Sequence, residues 1–174
     1  MRLRGAALDL TPLRQSASYR RLPFGDAVSV IGGSGIPPYD RQVDEQTLEF
    51  AHSLFDLARG GDAELLADYV DAGVPVNLTD AKGDTLLLLA AYAPHPAVVR
   101  VLLERGADPN RVNDRGQTAI AAAAFRSSAE SVALLLAAGA DPLAGNPSAL
   151  ATASFFELPE MVEMLSGGAG DAPS

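Results

Sequence analysis

The sequence predicts an all-α fold, a short solenoid of about four repeats. Two observations predict it. Residues 83–140 match themselves at a shift of 33 residues, and a fixed period of this length is typical of stacked supersecondary units. Nearly half of the 174 residues are hydrophobic, which is enough for a continuous core.

The match at this shift covers the turn, both helices and the loop that follows them. Four short segments carry it, each written with its counterpart: Gly83-Asp84-Thr85 and Gly116-Gln117-Thr118, Ala90-Ala91 and Ala123-Ala124, Val101-Leu102-Leu103 and Leu134-Leu135-Leu136, Gly106-Ala107-Asp108-Pro109 and Gly139-Ala140-Asp141-Pro142. So many coincidences at one shift indicate a repeat in the structure as well as in the sequence.

Each part of the repeat has a local cause. Thr85 and Thr118 stand where a side-chain oxygen would cap the first helix. Gly83 and Gly116 allow the positive φ of a tight turn. A further set of glycines should end the second helix of each repeat in a left-handed conformation: Gly73, Gly106 and Gly139.

The terminal repeats are less regular. The first is predicted over Val43–Leu78, with helices near Gln46–Arg59 and Ala63–Ala72 and Asp62 as a cap. The fourth, Ser148–Gly168, aligns at a shift of 30 instead of 33. The missing residues fall at 144–147, so the loop before the fourth repeat should be shortened.

The period and the turn residues resemble the ankyrin repeat, whose consensus begins Gly-x-Thr-Pro-Leu-His-x-Ala. Gly83–Ala90 and Gly116–Ala123 keep the Gly, the Thr, the aliphatic residue and the Ala. Leu86 and Ala119 replace the Pro, and Leu88 and Ala121 replace the His. The resemblance covers about residues 43–168, which we take as the repeat domain. It implies an all-α solenoid of about four helix-turn-helix repeats with short β-hairpin fingers, and a protein-binding module.

Residues 1–42 do not share the repeat, and residues 169–174 are predicted to be a flexible tail. Gly32-Gly33-Ser34-Gly35 and Pro37-Pro38 interrupt any regular element, so we expect an irregular or disordered extension. Residues 12–29 weakly resemble the segment before the first membrane helix of major facilitator transporters, but that helix does not follow. The extension is interpreted either as a fusion remnant or over-extended start, or as an arm that folds on contact with a partner.

Composition excludes several classes of function. The net charge of −9 argues against nucleic-acid binding, and the absence of cysteine excludes thiolate chemistry and Cys-ligated zinc. The two histidines, His52 and His95, fall on different repeats and form no metal motif; a structural role is favoured for His95. We therefore predict no enzyme, no cofactor and no metal. No signal peptide or membrane span is recognised, so the cytoplasm of a bacterium with a GC-rich genome is the expected location.

Scattered acidic residues bias the N-terminal half of the chain towards negative potential. They are interpreted either as a solvated face that keeps the protein soluble or as an attraction for a basic partner.

The resemblance implies that a partner lies along the concave groove, touching the turn tips and the ends of the first helices. Carried over by motif, the candidate residues at the turn tips are Lys82, Asp84, Asp114, Arg115 and Gln117, and those at the helix ends are Tyr92, Phe125, Arg126 and Phe155. Tyr92, Phe125 and Phe155 recur once per repeat, and aromatic residues and Arg are enriched at binding hot spots. Either the rings form a partner-facing ridge or they seal the seam between repeats.

The function predicted from these residues is a monomeric adaptor or regulatory subunit that binds a partner protein. The alternatives are an inhibitor or immunity-type protein that neutralises one enzyme or toxin, and a fragment of an enzyme or transporter.

Overall fold

The computed structural model describes residues 45–168, and these form eight helices in four pairs. The pairs are α1 (Glu45–Gly60) with α2 (Ala63–Asp71), α3 (Leu86–Tyr92) with α4 (Pro96–Glu104), α5 (Ala119–Phe125) with α6 (Ala129–Ala137), and α7 (Ala149–Phe155) with α8 (Pro159–Gly168). The inner helices α1, α3, α5 and α7 pack in one row, and α2, α4, α6 and α8 pack in a second row behind it. The predicted all-α solenoid of four repeats is confirmed. The extension 1–42 and the tail 169–174 lie outside the described residues.

The core runs along the inner row. Residues 86–91 of α3 and 119–124 of α5 are all buried, because each of these helices is covered by an inner helix on either side and by its own partner helix behind. Helices of seven residues are marginal in water when isolated. Their stability in this chain therefore comes from stacking between repeats.

Side-chain caps begin four of the described helices, α2, α3, α5 and α7, whereas His95 and Ser128 make no cap bond to α4 and α6. The hydroxyl of Thr85 accepts a hydrogen bond from the amide of Leu88 at 3.0 Å, and Thr118 and Ser148 make the equivalent bonds at 3.3 and 3.2 Å. The Asp62 carboxylate accepts from the amide of Leu65 at 3.2 Å. Each cap satisfies an amide that the first helical turn leaves without a partner.

The fingers between repeats are side-chain-closed turns, and the described residues contain isolated β-bridges in place of paired strands. Asp80 and Asn113 each accept hydrogen bonds through one side-chain oxygen from the amides two and four residues further along, at 2.8–3.0 Å. Backbone bonds also join successive fingers: Asp114 N to Lys82 O at 3.1 Å, and Asn146 N to Gly116 O at 2.7 Å.

Polar links between the loops that follow the outer helices fix the register of neighbouring repeats. The side-chain oxygens of Asn77 and Asn110 accept from the amides of Asp108 and Asp141, each at 2.8 Å. These two asparagines are 33 residues apart, so the same bond recurs at consecutive boundaries.

Arg105 forms a bidentate ion pair with Asp71 of the preceding repeat, both N–H···O distances being 2.8 Å. These hydrogen bonds favour the ionised carboxylate, so they lower the pKa of Asp71 and raise that of Arg105. Arg100 and Glu130 form a second pair between repeats at 3.0 Å.

A left-handed residue turns the chain between the two helices of three repeats: Gly61 (φ 85°), Ser127 (φ 53°) and Glu157 (φ 54°). Pro94 occupies the same position in the second repeat. A side chain on Gly61 would place its Cβ 2.6 Å from Nδ1 of His95, so His95 packs against the first repeat, in agreement with the structural role expected for it.

Replacing Ser127 or Glu157 with glycine should stabilise the protein by about 1 kcal/mol each, because a left-handed conformation strains any residue with a Cβ. Urea unfolding of the full chain measures the change. Ser154→Gly, the same substitution within α7, is the matched control and should destabilise by up to about 1 kcal/mol. Loss of stability in Ser127→Gly would contradict the assignment.

Arg105→Gln should raise the pKa of Asp71 towards its ordinary value, since the guanidinium bonds that favour the carboxylate are removed. A lowered folded-state pKa contributes stability that is present above the unfolded-state pKa and is lost as the pH falls through the folded-state value. The variant should therefore lose less stability on acidification. Carboxyl NMR titration measures the pKa, and Arg100→Gln should leave the Asp71 titration unchanged.

Candidate functional site

Four aromatic side chains form one continuous row at the C-terminal ends of the inner helices. We call Tyr92, Phe125, Phe156 and Phe155 the aromatic ridge. Tyr92 and Phe125 stack with ring centroids 5.9 Å apart and planes inclined by 18°. Phe156 meets Phe125 edge to face at 5.1 Å, and Phe155 meets Phe156 in the same way at 5.1 Å. The ridge thus spans the second, third and fourth repeats.

The ridge is at once exposed and in contact across the repeats. Tyr92 is 48% exposed, Phe125 40%, Phe156 49% and Phe155 80%. The buried pairs Ala90-Ala91 and Ala123-Ala124 lie directly before Tyr92 and Phe125, so packing of the alanines places each ring at the open end of its helix. Part of each of the Tyr92, Phe125 and Phe156 rings therefore covers a boundary between repeats while another part faces solvent. Phe155 contacts Phe156 of its own repeat and is the most exposed ring.

The sequence periodicity places Phe155 at the position of Tyr92 and Phe125. In the structure, however, Phe156 contacts the Phe125 ring of the preceding repeat. Phe156 is the C-cap residue of α7, and its counterpart in the third repeat is Arg126, the C-cap of α5. The guanidinium of Arg126 lies 5.9 Å from the centroid of the Tyr92 ring. In both repeats, then, the C-cap side chain reaches back to the aromatic residue of the repeat before it.

An apolar groove of about 520 Å³ lies beside the ridge, between α5 and α7. Its floor consists of Ala121, Ala122, Ala151 and Thr152, the ridge lines one side, and Gln117 and Pro147 line the side of the fingers. The second repeat carries Leu88 where the third carries Ala121. The groove opens between α5 and α7 because small side chains occupy this position in both helices.

Among the predicted site residues, the groove brings together Tyr92, Gln117, Phe125 and Phe155. Sequence reasoning did not single out Phe156, Pro147 or the alanines of the floor. The equivalence of Phe156 to Arg126 at the C-cap was the signal that could have identified Phe156.

Three of the predicted turn-tip residues are exposed but do not line the groove. Lys82 and Asp114 are exposed at neighbouring fingers, and the Arg115 side chain is 58% exposed. They form a polar surface on the finger side of the stack.

The turn-tip side chains are expected from the sequence to be open to a partner, and this expectation is wrong for Asp84. It is 4% exposed, and its carboxylate accepts a hydrogen bond from Nδ2 of Asn113 and lies 3.1 Å from Nη2 of Arg115. Asn113 also donates to Oε1 of Gln117 at 3.1 Å. Asp84 is buried because it satisfies the side-chain amide of the next finger, which is itself buried.

Within residues 45–168, no group of three or more potential metal ligands is close enough to hold an ion. In the same part of the chain, every helix is too short or too polar to cross a bilayer.

The repeat geometry agrees with comparison to known proteins. A family model for ankyrin repeats in three copies matches residues 54–146, which is more than half of the chain. The chain belongs to the ankyrin-repeat family. Ankyrin repeats are generally protein-interaction modules and typically lack catalytic activity.

A curated ankyrin repeat protein from Pseudomonas aeruginosa is similar to part of the chain. The two are 47% identical over 60 residues, which are 34% of this chain and 35% of the relative. The shared region thus spans about a third of the relative's length.

Asp84→Ala should destabilise the protein by about 1–3 kcal/mol, because the buried side-chain amide of Asn113 loses one of its two acceptors. Asp114→Ala removes a carboxylate from an exposed position of the next finger and should change stability by less than about 0.5 kcal/mol. Urea unfolding of both variants measures the difference. Equal stability of the two would show that the Asp84 contacts contribute nothing to folding.

Proposed function

We propose that this ankyrin-repeat protein is an adaptor or regulatory subunit that binds a segment of a partner protein in the groove beside the aromatic ridge. The observation that supports it is the row of four touching, partly exposed rings next to an alanine floor. Large aromatic side chains supply most of the binding free energy at protein interfaces when they are desolvated by a partner.

The ridge is suited to binding because its rings are already ordered. Tyr92 and Phe125 are held by stacking, and Phe156 is held edge to face against Phe125. Ordering a side chain on binding costs about 0.5–1.5 kcal/mol. Side chains that hold each other in the free protein avoid much of this loss, so more of the apolar burial appears as affinity.

The shape and chemistry of the groove favour a peptide segment over a metabolite. The groove is lined almost entirely by apolar side chains, with Gln117 and Thr152 as its polar residues. It is open along the stack, whereas small-molecule sites bury most of their ligand. The exposed finger residues Lys82, Asp114 and Arg115 would contact the flanks of a bound segment and contribute to its orientation.

We further propose that residues 43–168 act as one domain and that the protein works as a cytoplasmic monomer without a cofactor. The net charge of −9 supports protein partners over nucleic acid, since phosphate contacts require clustered Lys and Arg.

Phe155→Ala should weaken partner binding by about 1–3 kcal/mol and leave stability nearly unchanged, because this ring is 80% exposed. Phe125→Ala should weaken binding and also lower stability by about 1–3 kcal/mol, since Phe125 contacts rings on both sides. Quantitative mass spectrometry of proteins retained by the tagged full chain in its native extract identifies the partner. Calorimetry with the purified partner then gives the affinities.

Leu143→Ala is the matched control, because Leu143 is 60% exposed on a finger but does not line the groove. A partner retained by the wild type and by Leu143→Ala but lost from Phe155→Ala supports the proposal. If no protein is retained, or if the Phe155 variant retains it equally well, the proposal fails.

A further inference from the structure

We propose that residues 19–24 of this same chain, Tyr19-Arg20-Arg21-Leu22-Pro23-Phe24, dock in the groove and compete with the partner. The inference rests on the proposed function, because it assigns a regulator to the same site. It is carried by the chemistry of the groove, by the division of charge along the chain, and by the position at which residues 1–44 join the stack.

The groove and the segment have complementary chemistry. Proline disfavours helical backbone in the residue before it, and extended, proline-rich segments dock on aromatic-lined grooves. Residues 19–24 contain one proline, Pro23. Leu22 and Phe24 supply apolar side chains for a groove whose floor is alanine. Arg20 and Arg21 supply guanidinium groups, which are attracted to the faces of aromatic rings, and the ridge offers partly exposed rings along its length.

Charge is divided so that the two parts attract. Residues 1–42 contain six arginines and three aspartates, whereas residues 43–168 contain seven basic and eighteen acidic side chains. The formal charges are therefore +3 and −11, with histidine neutral. At physiological ionic strength the attraction extends over about 8–10 Å and is weakened by added salt. It would favour positions of the segment close to the repeats and leave the contacts in the groove to fix its position.

The point of attachment is on the correct side of the molecule. Helix α1 packs beside α3 in the inner row. At the shift of 33 residues Glu45 corresponds to Leu78, so α1 begins eight residues before the position at which α3 begins, about 12 Å beyond the edge where the fingers lie. Gln117 and Pro147 line the groove from that edge. Neighbouring helix axes are about 8–10 Å apart, which places the groove roughly 20–30 Å from α1.

The connecting chain is long enough for this distance. Residues 25–44 separate the segment from α1, and an extended chain spans about 3.3 Å per residue. A tethered segment of this kind has an effective concentration of about 1 mM. Weak contacts are therefore sufficient to occupy the groove. The apparent affinity for a partner would then equal the intrinsic affinity multiplied by the fraction of molecules whose groove is free.

The absence of cysteine allows a direct test on the full chain. A nitroxide attached to Ser18→Cys should broaden the NMR amide signals of Ala121, Ala151 and Phe155 and leave those of α2 unaffected. The added change Phe155→Ser should restore the signals, and 0.5 M salt should restore them in part. Leu143→Ser, which removes an exposed apolar side chain outside the groove, should retain the broadening.

Unchanged groove signals would overturn the inference, and so would broadening confined to the acidic first repeat. Mixing nitroxide-labelled chains with isotope-labelled chains identifies docking by a second copy, which would also overturn it. Partner binding that depends on Phe155 without any broadening would leave the proposed function standing while this inference fails. Broadening of the groove signals in a protein for which no partner is found would support docking of residues 19–24 while the proposed function fails.

Discussion

The inner helices α3 and α5 are seven residues long, so neither can persist outside the stack. Burial of their apolar residues between neighbouring inner helices is the interaction on which the rest of the structure depends. A solenoid of this kind is stabilised by nearest-neighbour interfaces rather than by one central core. Apolar packing makes the stacking of repeats favourable but does not fix their relative position. The hydrogen bonds of Asn77 and Asn110 and the backbone bonds between fingers fix it.

The aromatic ridge is a direct consequence of that register. Since Ala90-Ala91 and Ala123-Ala124 are buried at equivalent positions, the next residue in each repeat reaches the same edge of the stack, where neighbouring rings come within contact distance. Their mutual packing covers part of each ring and leaves the other part in water. A ring at this position therefore packs at the boundary between repeats and keeps part of its surface exposed, and the proposed function uses that exposed part.

The repeat could be predicted from the sequence because it depends on local rules. Thr85 and Thr118 cap helices through bonds to amides three residues away, and Gly83 and Gly116 have the positive φ that their turns require. The burial of Asp84 could not be predicted in this way, because it depends on Asn113 of the next finger. The contact of Phe156 with Phe125 also depends on the direction of a C-cap side chain, which periodicity does not specify.

The position of the groove follows from side-chain volume at one place in the repeat. Leu88 and Leu89 are buried in α3 at the positions that Ala121 and Ala122 occupy in α5, so the second repeat carries larger side chains there than the third. The fourth repeat also carries a small residue, Ala151, so α5 and α7 face each other across a gap lined by the ridge. Short side chains in successive repeats therefore create a depression without disturbing the stacking beneath it. A larger side chain at Ala121 or Ala151 would fill this depression. Because Ala121 belongs to the buried core, its replacement would also change the packing between repeats.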